Sequence, residues 1–102
     1  MVLNSAQEIL KAIQSVQEPN IVITTHAKPD ADAIGSSLGL KFFLESFGFH
    51  VDFISPTDFA SFLKWMKDVD KTIIFEHSKE EASRITEAAD FIFAWILIIY
   101  QE

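Results

Sequence analysis

An imidazole at His26 and carboxylates at Asp30 and Asp32, followed closely by Gly35-Ser36-Ser37, are the residues whose types and spacing could do chemistry. A hard or borderline divalent cation takes oxygen ligands, and Mn²⁺ also accepts imidazole, so this donor set suits Mn²⁺ better than Zn²⁺ or Cu²⁺. Crowding the two acids costs free energy unless a cation or hydrogen-bond donors compensate. A helix N-terminus presents unpaired N–H groups, and with the hydroxyls of Ser36 and Ser37 these could receive a phosphate. Each feature also has a plainer structural reading. Asp32 could be the N-cap of a helix beginning near Ala33, Asp30 could close an Asx turn after Pro29, and Gly35 could let that helix approach the preceding strand.

Positioning these residues requires a strand before them and a helix after them. Ile21-Val22-Ile23-Thr24-Thr25 reads as a buried strand of β-branched residues, apolar on both faces as a central strand covered by helices must be. Ile34, Leu38, Leu40, Phe42, Phe43, Leu44 and Phe47 mark the following helix, with Gly48 placed as its C-terminal cap. Strand, loop and helix make the first half of a βαβ unit, and ligands of such sheets collect beyond the carboxyl ends of the strands.

The flanking chain repeats the alternation. Ser5-Ala6-Gln7-Glu8 has capping-box spacing, and Ile9, Leu10, Ile13 and Val16 carry a first helix to about Gln17, before Pro19. His50 to Ile54 reads as a second strand stopped by Ser55-Pro56, and Thr57 or Asp58 is placed to cap a short helix presenting Phe59, Phe62, Leu63 and Met66. Thr72 to Phe75 is a short strand, and Ser78 opens a helix from Lys79 to about Ala89 whose charges make a solvated face. Phe91 to Tyr100 is wholly apolar, too short for a membrane helix of roughly twenty residues, and reads as one buried strand of a parallel sheet. The expected fold is α/β, a three-layer Rossmann-like domain with a mostly parallel sheet and helices on both faces, spanning 1–102 as a single domain.

A formal charge of -7 excludes broad electrostatic binding to duplex nucleic acid, which needs a basic face. The absence of cysteine excludes disulfides and thiolate metal sites. Met1 to Ser5 lacks the basic region and apolar core of a secretory signal, so the expected location is the cytoplasm, without a membrane partner. His50 and His77 read as surface or capping histidines, Lys28 as an exposed loop lysine, and Trp65 and Trp95 as core or interface residues.

His26-x-x-x-Asp30-x-Asp32-Ala33-Ile34-Gly35-Ser36, set after a Val-Ile-Thr-Thr strand, resembles the first motif of the DHH phosphoesterase family, which includes RecJ-like nucleases, oligoribonucleases and exopolyphosphatases. The likeness continues through Ser37-Leu38-Gly39-Leu40. Ser55-Pro56-Thr57-Asp58-Phe59 and Phe62 to Met66 are similar to the branch of oligoribonucleases and phosphoadenosine-phosphate phosphatases. The resemblance implies two Mn²⁺ ions that activate water for attack on a phosphoester, with His26 and Asp30 on one ion and Asp32 on the other. The implied substrate is a short oligonucleotide or small nucleotide. Ala31 stands where the family often has glycine.

The far end departs from the pattern. Ala89-Asp90-Phe91-Ile92-Phe93 matches the approach to the family's second motif, but the bridging Asp expected there falls on Ile96, and Trp95 to Tyr100 offers no carboxylate. The Asp-His-His motif and the family's C-terminal substrate domain are not encoded within 1–102, so the expectation is the N-terminal portion of a DHH-type domain, catalytically incomplete in this chain. Two other classes compete with this one. A non-catalytic α/β module would self-associate through apolar residues 91–100. A receiver-like phosphoacceptor would need a lone phosphorylatable Asp at the end of another strand, which Phe75-Glu76 and Ile96 do not supply.

Overall fold

The structure, a computed structural model, describes residues 6–94 and 97–100. Its elements run α1 (Ala6–Gln14), β1 (Asn20–Thr24), α2 (Ala31–Glu45), β2 (His50–Ser55), two 3₁₀ turns (Ser61–Leu63 and Val69–Lys71), β3 (Ile73–Ile74), α3 (Lys79–Ala88), β4 (Phe91–Ala94) and β5 (Leu97–Tyr100). The strands form one sheet in the order β3-β2-β1-β4-β5. β1 to β4 are mutually parallel, with Ile21 opposite Val51 on one side and Phe91 on the other, while β5 runs antiparallel to β4.

The period-two alternation of the strands divides the core between two faces. Ile21 and Ile23, Val51 and Phe53, and Phe91 and Phe93 pack with Ile13 of α1 and Ile34, Leu38 and Leu44 of α2. Val22 and Ile54 turn the other way, onto Ala82 of α3 and Ala89, with Ile85 and Ile92 at the margin. Helices therefore cover both faces, and the fold is the expected three-layer α/β arrangement. No helix among the described residues is long and apolar enough to cross a membrane.

Several boundaries and roles differ from the sequence-based expectation. α1 stops at Gln14 rather than near Gln17, and the chain then turns through Glu18 at φ 50 into the buried Pro19. Its expected capping box begins at Ser5, outside the described residues. Neither Thr57 nor Asp58 caps the turn that follows β2, which starts after Ala60 without a side-chain cap. Ser78 stands at the N-cap position of α3 but makes no capping bond through its side chain. The C-cap of α2 is Ser46 rather than Gly48, which ends the turn that follows, at φ 86 and with its N–H on the Glu45 carbonyl at 2.9 Å. Trp65 is not a core residue: it is 78% exposed, while Trp95 lies outside the described residues.

Phe91 to Tyr100 is not a single parallel strand. Ten extended residues would run about 33 Å, but β1 offers partners only to Phe91, Ile92 and Phe93. A longer strand would leave its backbone groups unpaired beyond that point. The chain instead returns as β5, pairing Ala94 with Leu97 and Phe91 with Tyr100 and satisfying the outer side of β4.

Candidate functional site

Because β1, β2 and β3 are parallel, the loops that follow them emerge at the same edge of the sheet, and hydrogen bonds tie them together there. The Lys28 N–H donates to Thr57 Oγ1 at 2.7 Å, joining the loop after β1 to the loop after β2. The Asp58 N–H donates to Glu76 Oε1 at 2.8 Å, joining the loop after β2 to that after β3. Ser55 Oγ donates to the Thr57 carbonyl at 2.6 Å and fixes the middle member.

His26, Asp30 and Asp32 lie in the first of these loops and its junction with α2. Asp30, not Asp32, is the N-cap of α2: its backbone is extended, and its Oδ1 accepts the Ala33 N–H at 2.8 Å. The helix accordingly begins at Ala31, earlier than the apolar pattern indicates. Asp32 is exposed in the first turn, where a negative charge is favoured by the helix dipole. His26 is exposed, with Nδ1 2.9 Å from the Ala27 carbonyl oxygen. A carbonyl oxygen only accepts, so Nδ1 is the donor in this contact.

Between them the backbone is strained. Lys28 sits at φ 52, a left-handed conformation that costs a non-glycine residue roughly 1–3 kcal/mol. It also precedes Pro29, which biases its neighbour toward extended conformations. The surroundings must hold it there, and the Thr57 hydroxyl and the burial of Pro29 do so. Ala31 needs no such conformation, since the positive-φ residues other than glycine among those described are Glu18, Lys28 and Asp68. Its replacement of the glycine common in the family thus leaves the loop intact.

Of the two serines, Ser36 is exposed and Ser37 is buried. Gly35 does not serve a close approach of α2 to β1: a Cβ built on it meets nothing within 4 Å, and the residue is exposed.

One imidazole nitrogen and two carboxylates match a single Mn²⁺ by donor chemistry. Asp30 Oδ2 accepts no hydrogen bond from the described residues, which leaves it available as a ligand atom. The donors are not drawn up around a common point, however: among the described residues, no group of three or more His, Asp or Glu side chains could hold a metal ion. A two-ion centre fits less well, because nothing in the described residues takes the part of a bridging carboxylate, and Ile96 lies outside them.

Two features were not legible from residue types. Thr25, one residue before His26, is buried with its Oγ1 unpartnered among the described residues. Asp58 accepts the Lys64 ammonium at 2.7 Å and its neighbour's N–H, from Phe59, at 2.8 Å. The Lys64 hydrogen bond first, then the Phe59 N–H, hold its carboxyl below the ordinary carboxylate range. The other histidines are peripheral: His50 pairs with Asp52 at 3.1 Å on an exposed strand end, and His77 is exposed beyond β3.

The comparisons with known proteins bear on the fold and the family. The crystal structure of an exopolyphosphatase-related protein from Bacteroides fragilis is similar to this fold with a TM-score of 0.80 and 38% identity, over 86% of this chain and 25% of that one. The chain thus spans about a quarter of that protein's length. No curated protein matches it. The model of the DHH family's N-terminal domain matches residues 20–98, from the first residue of β1 into β5. With the motif loop between β1 and α2 and most of the chain within that match, the protein belongs to the DHH family.

Proposed function

We propose that this chain is the N-terminal part of a cytoplasmic, phosphoesterase-type hydrolase that acts on phosphoester bonds of short oligonucleotides or small nucleotides with the help of Mn²⁺. The observation that carries the reading is the loop from His26 to Asp32, placed between a central parallel strand and the N-terminus of α2 at the carboxyl edge of the sheet. Family membership and the similarity to an exopolyphosphatase-related protein support the hydrolase class. That relative's name favours a polyphosphate chain as the competing substrate.

His26, Asp30 and Asp32 would hold the ion. When bound, it would supply Lewis-acid stabilisation of phosphoryl oxygens and lower the pKa of a coordinated water. The chain's own groups have other tasks. The N-terminus of α2, with its N–H groups and the exposed Ser36 hydroxyl, receives a phosphate oxygen. Asp30 keeps that helix end in register with the loop through the Ala33 N–H.

The test is calorimetric titration with Mn²⁺. The wild-type chain should bind, and a variant carrying Asp30→Ala and Asp32→Ala should not. Equal heats from the two would remove the metal and, with it, this reading.

A second reading, a self-associating module, is favoured by β5 standing at the edge of the sheet, where one side of its backbone has no neighbouring strand among the described residues. Sedimentation would then give a dimer or larger species, and a monomer at high concentration would eliminate it.

A further inference from the structure

We propose that Trp65 is the stacking platform for a nucleobase, so that the ligand of this sheet edge is a short single-stranded oligonucleotide rather than a bare polyphosphate chain. The inference rests on the phosphoester reading above for the ligand's phosphate, and adds to it the group that recognises what the phosphate is attached to.

Trp65 is 78% exposed, and its indole meets no other ring among the described residues. The turn that presents it is nonetheless fixed on both sides. The Lys64 N–H donates to the Ser61 carbonyl at 3.0 Å, the Met66 N–H to the Leu63 carbonyl at 3.3 Å and the Val69 N–H to the Met66 carbonyl at 3.1 Å, while Leu63 and Val69 are buried. A ring held out on an ordered turn costs little further order when a ligand binds. The turn is also tied to the loops at the carboxyl edge of the sheet. Lys64 Nζ holds Asp58 Oδ1 at 2.7 Å, and Asp58 follows Thr57, whose hydroxyl accepts the Lys28 N–H of the motif loop. A nucleotide's base and its phosphate therefore have separate seats near one edge, the indole and the N-terminus of α2. The formal charge of -7 opposes an anionic ligand, but lysine and aspartate balance at three each over residues 58–71. Lys64 and Lys71 pair with Asp58 and Asp68. Lys67, two residues beyond Trp65, is exposed, stands over the Phe42 ring at 5.7 Å and makes no ion pair among the described residues. An exposed aromatic ring beside an uncommitted cation is the combination that binds single strands, the base by stacking and the backbone by charge. A polyphosphate has no π-face and gains nothing from the indole. A protein partner would call for an apolar patch at the centre of its contact, whereas the neighbours of Trp65 in the chain are the charged Lys64 and the half-buried Met66.

The experiment titrates the full chain, in EDTA so that no metal contributes, with single-stranded tetra-adenylate, an abasic oligomer of the same length and tripolyphosphate. Tryptophan fluorescence and the anisotropy of end-labelled tetra-adenylate are followed. Wild type should bind tetra-adenylate with quenching of the indole, and the two base-free chains should not quench and should compete far more weakly. Trp65→Ala should weaken tetra-adenylate binding about 5- to 150-fold, the worth of one stacked base. Trp65→Phe, which keeps a ring, should recover most of the loss. No binding by wild type, equal affinity in Trp65→Ala, or competition by tripolyphosphate as strong as that of unlabelled tetra-adenylate overturns the proposal. So does a concentration-dependent emission shift without any oligonucleotide that Trp65→Phe lacks, because the indole then belongs to a contact between copies of the chain. The calorimetric titration with Mn²⁺ is read separately: base-dependent quenching in a chain that binds no Mn²⁺ upholds the platform while the hydrolase reading fails.

Discussion

Asp30 has two oxygens and two assignments, and they can be separated. Oδ1 caps α2, while the proposed ligand role needs the charge and Oδ2. Asparagine caps helices as well as aspartate does, but alanine does not. Asp30→Asn should therefore unfold in urea within a few tenths of a kcal/mol of wild type, whereas Asp30→Ala should lose about 1 kcal/mol. Both should lose Mn²⁺, and retained binding in Asp30→Asn would show that the carboxylate is a cap alone. Asp58 carries a pH dependence with a definite sign. Its folded pKa is lowered by Lys64, so the pair's contribution is complete above the unfolded value of about 3.9 and is lost as pH falls through the lower folded value. An NMR titration of the Asp58 carboxyl should give a midpoint below that of an ordinary aspartate, and Lys64→Met should move it upward. The pair is exposed, so the change in overall stability should be slight.

At the level of elements, the two ends of α2 are specified by different devices. The N-terminus depends on a side chain, Asp30, and the turn that leads out of the C-terminus, beyond the Ser46 cap, on a backbone conformation that glycine adopts at no steric cost, Gly48 at φ 86. Gly39, by contrast, is mid-helix, and a Cβ there meets nothing within 4 Å. The same substitution should then have opposite signs: Gly48→Ala should destabilise by about 1–2 kcal/mol, and Gly39→Ala should stabilise by roughly 0.5–1 kcal/mol. Denaturant midpoints of the two variants against wild type decide the matter. Phe43 near the C-terminal end of α2 and Phe47 just beyond it are both substantially exposed and meet edge to face at 5.2 Å, so the apolar residues that mark this helix in the sequence are not all core residues.

For the molecule as a whole, metal binding and folding should be linked. An ion held only by the folded chain at a hundred times its Kd adds about 2.7 kcal/mol. For a domain of this size that raises the melting temperature by roughly 10–20 °C. Mn²⁺ should produce such a shift, a chelator should reverse it, and the Asp30→Ala, Asp32→Ala variant should show none. How much of this was legible beforehand follows from the range of the forces involved. The strand at 21–24, the helix after it, the α/β layering and the family of the motif are set by local periodicity, composition and the order of residues, which a sequence displays directly. Which aspartate caps α2 depends on where the helix starts, and an apolar pattern locates that only to within a few residues. The reversal after Phe93 was hidden because it depends on how far β1 extends alongside β4. The bond from Lys28 to Thr57 was hidden for a related reason: parallel pairing of β1 with β2 brings the loops after them to one edge. The sequence alone determined the donors and the elements that carry them; the tertiary structure decided which backbone groups those donors serve, because hydrogen-bond partners across strands are assigned by register.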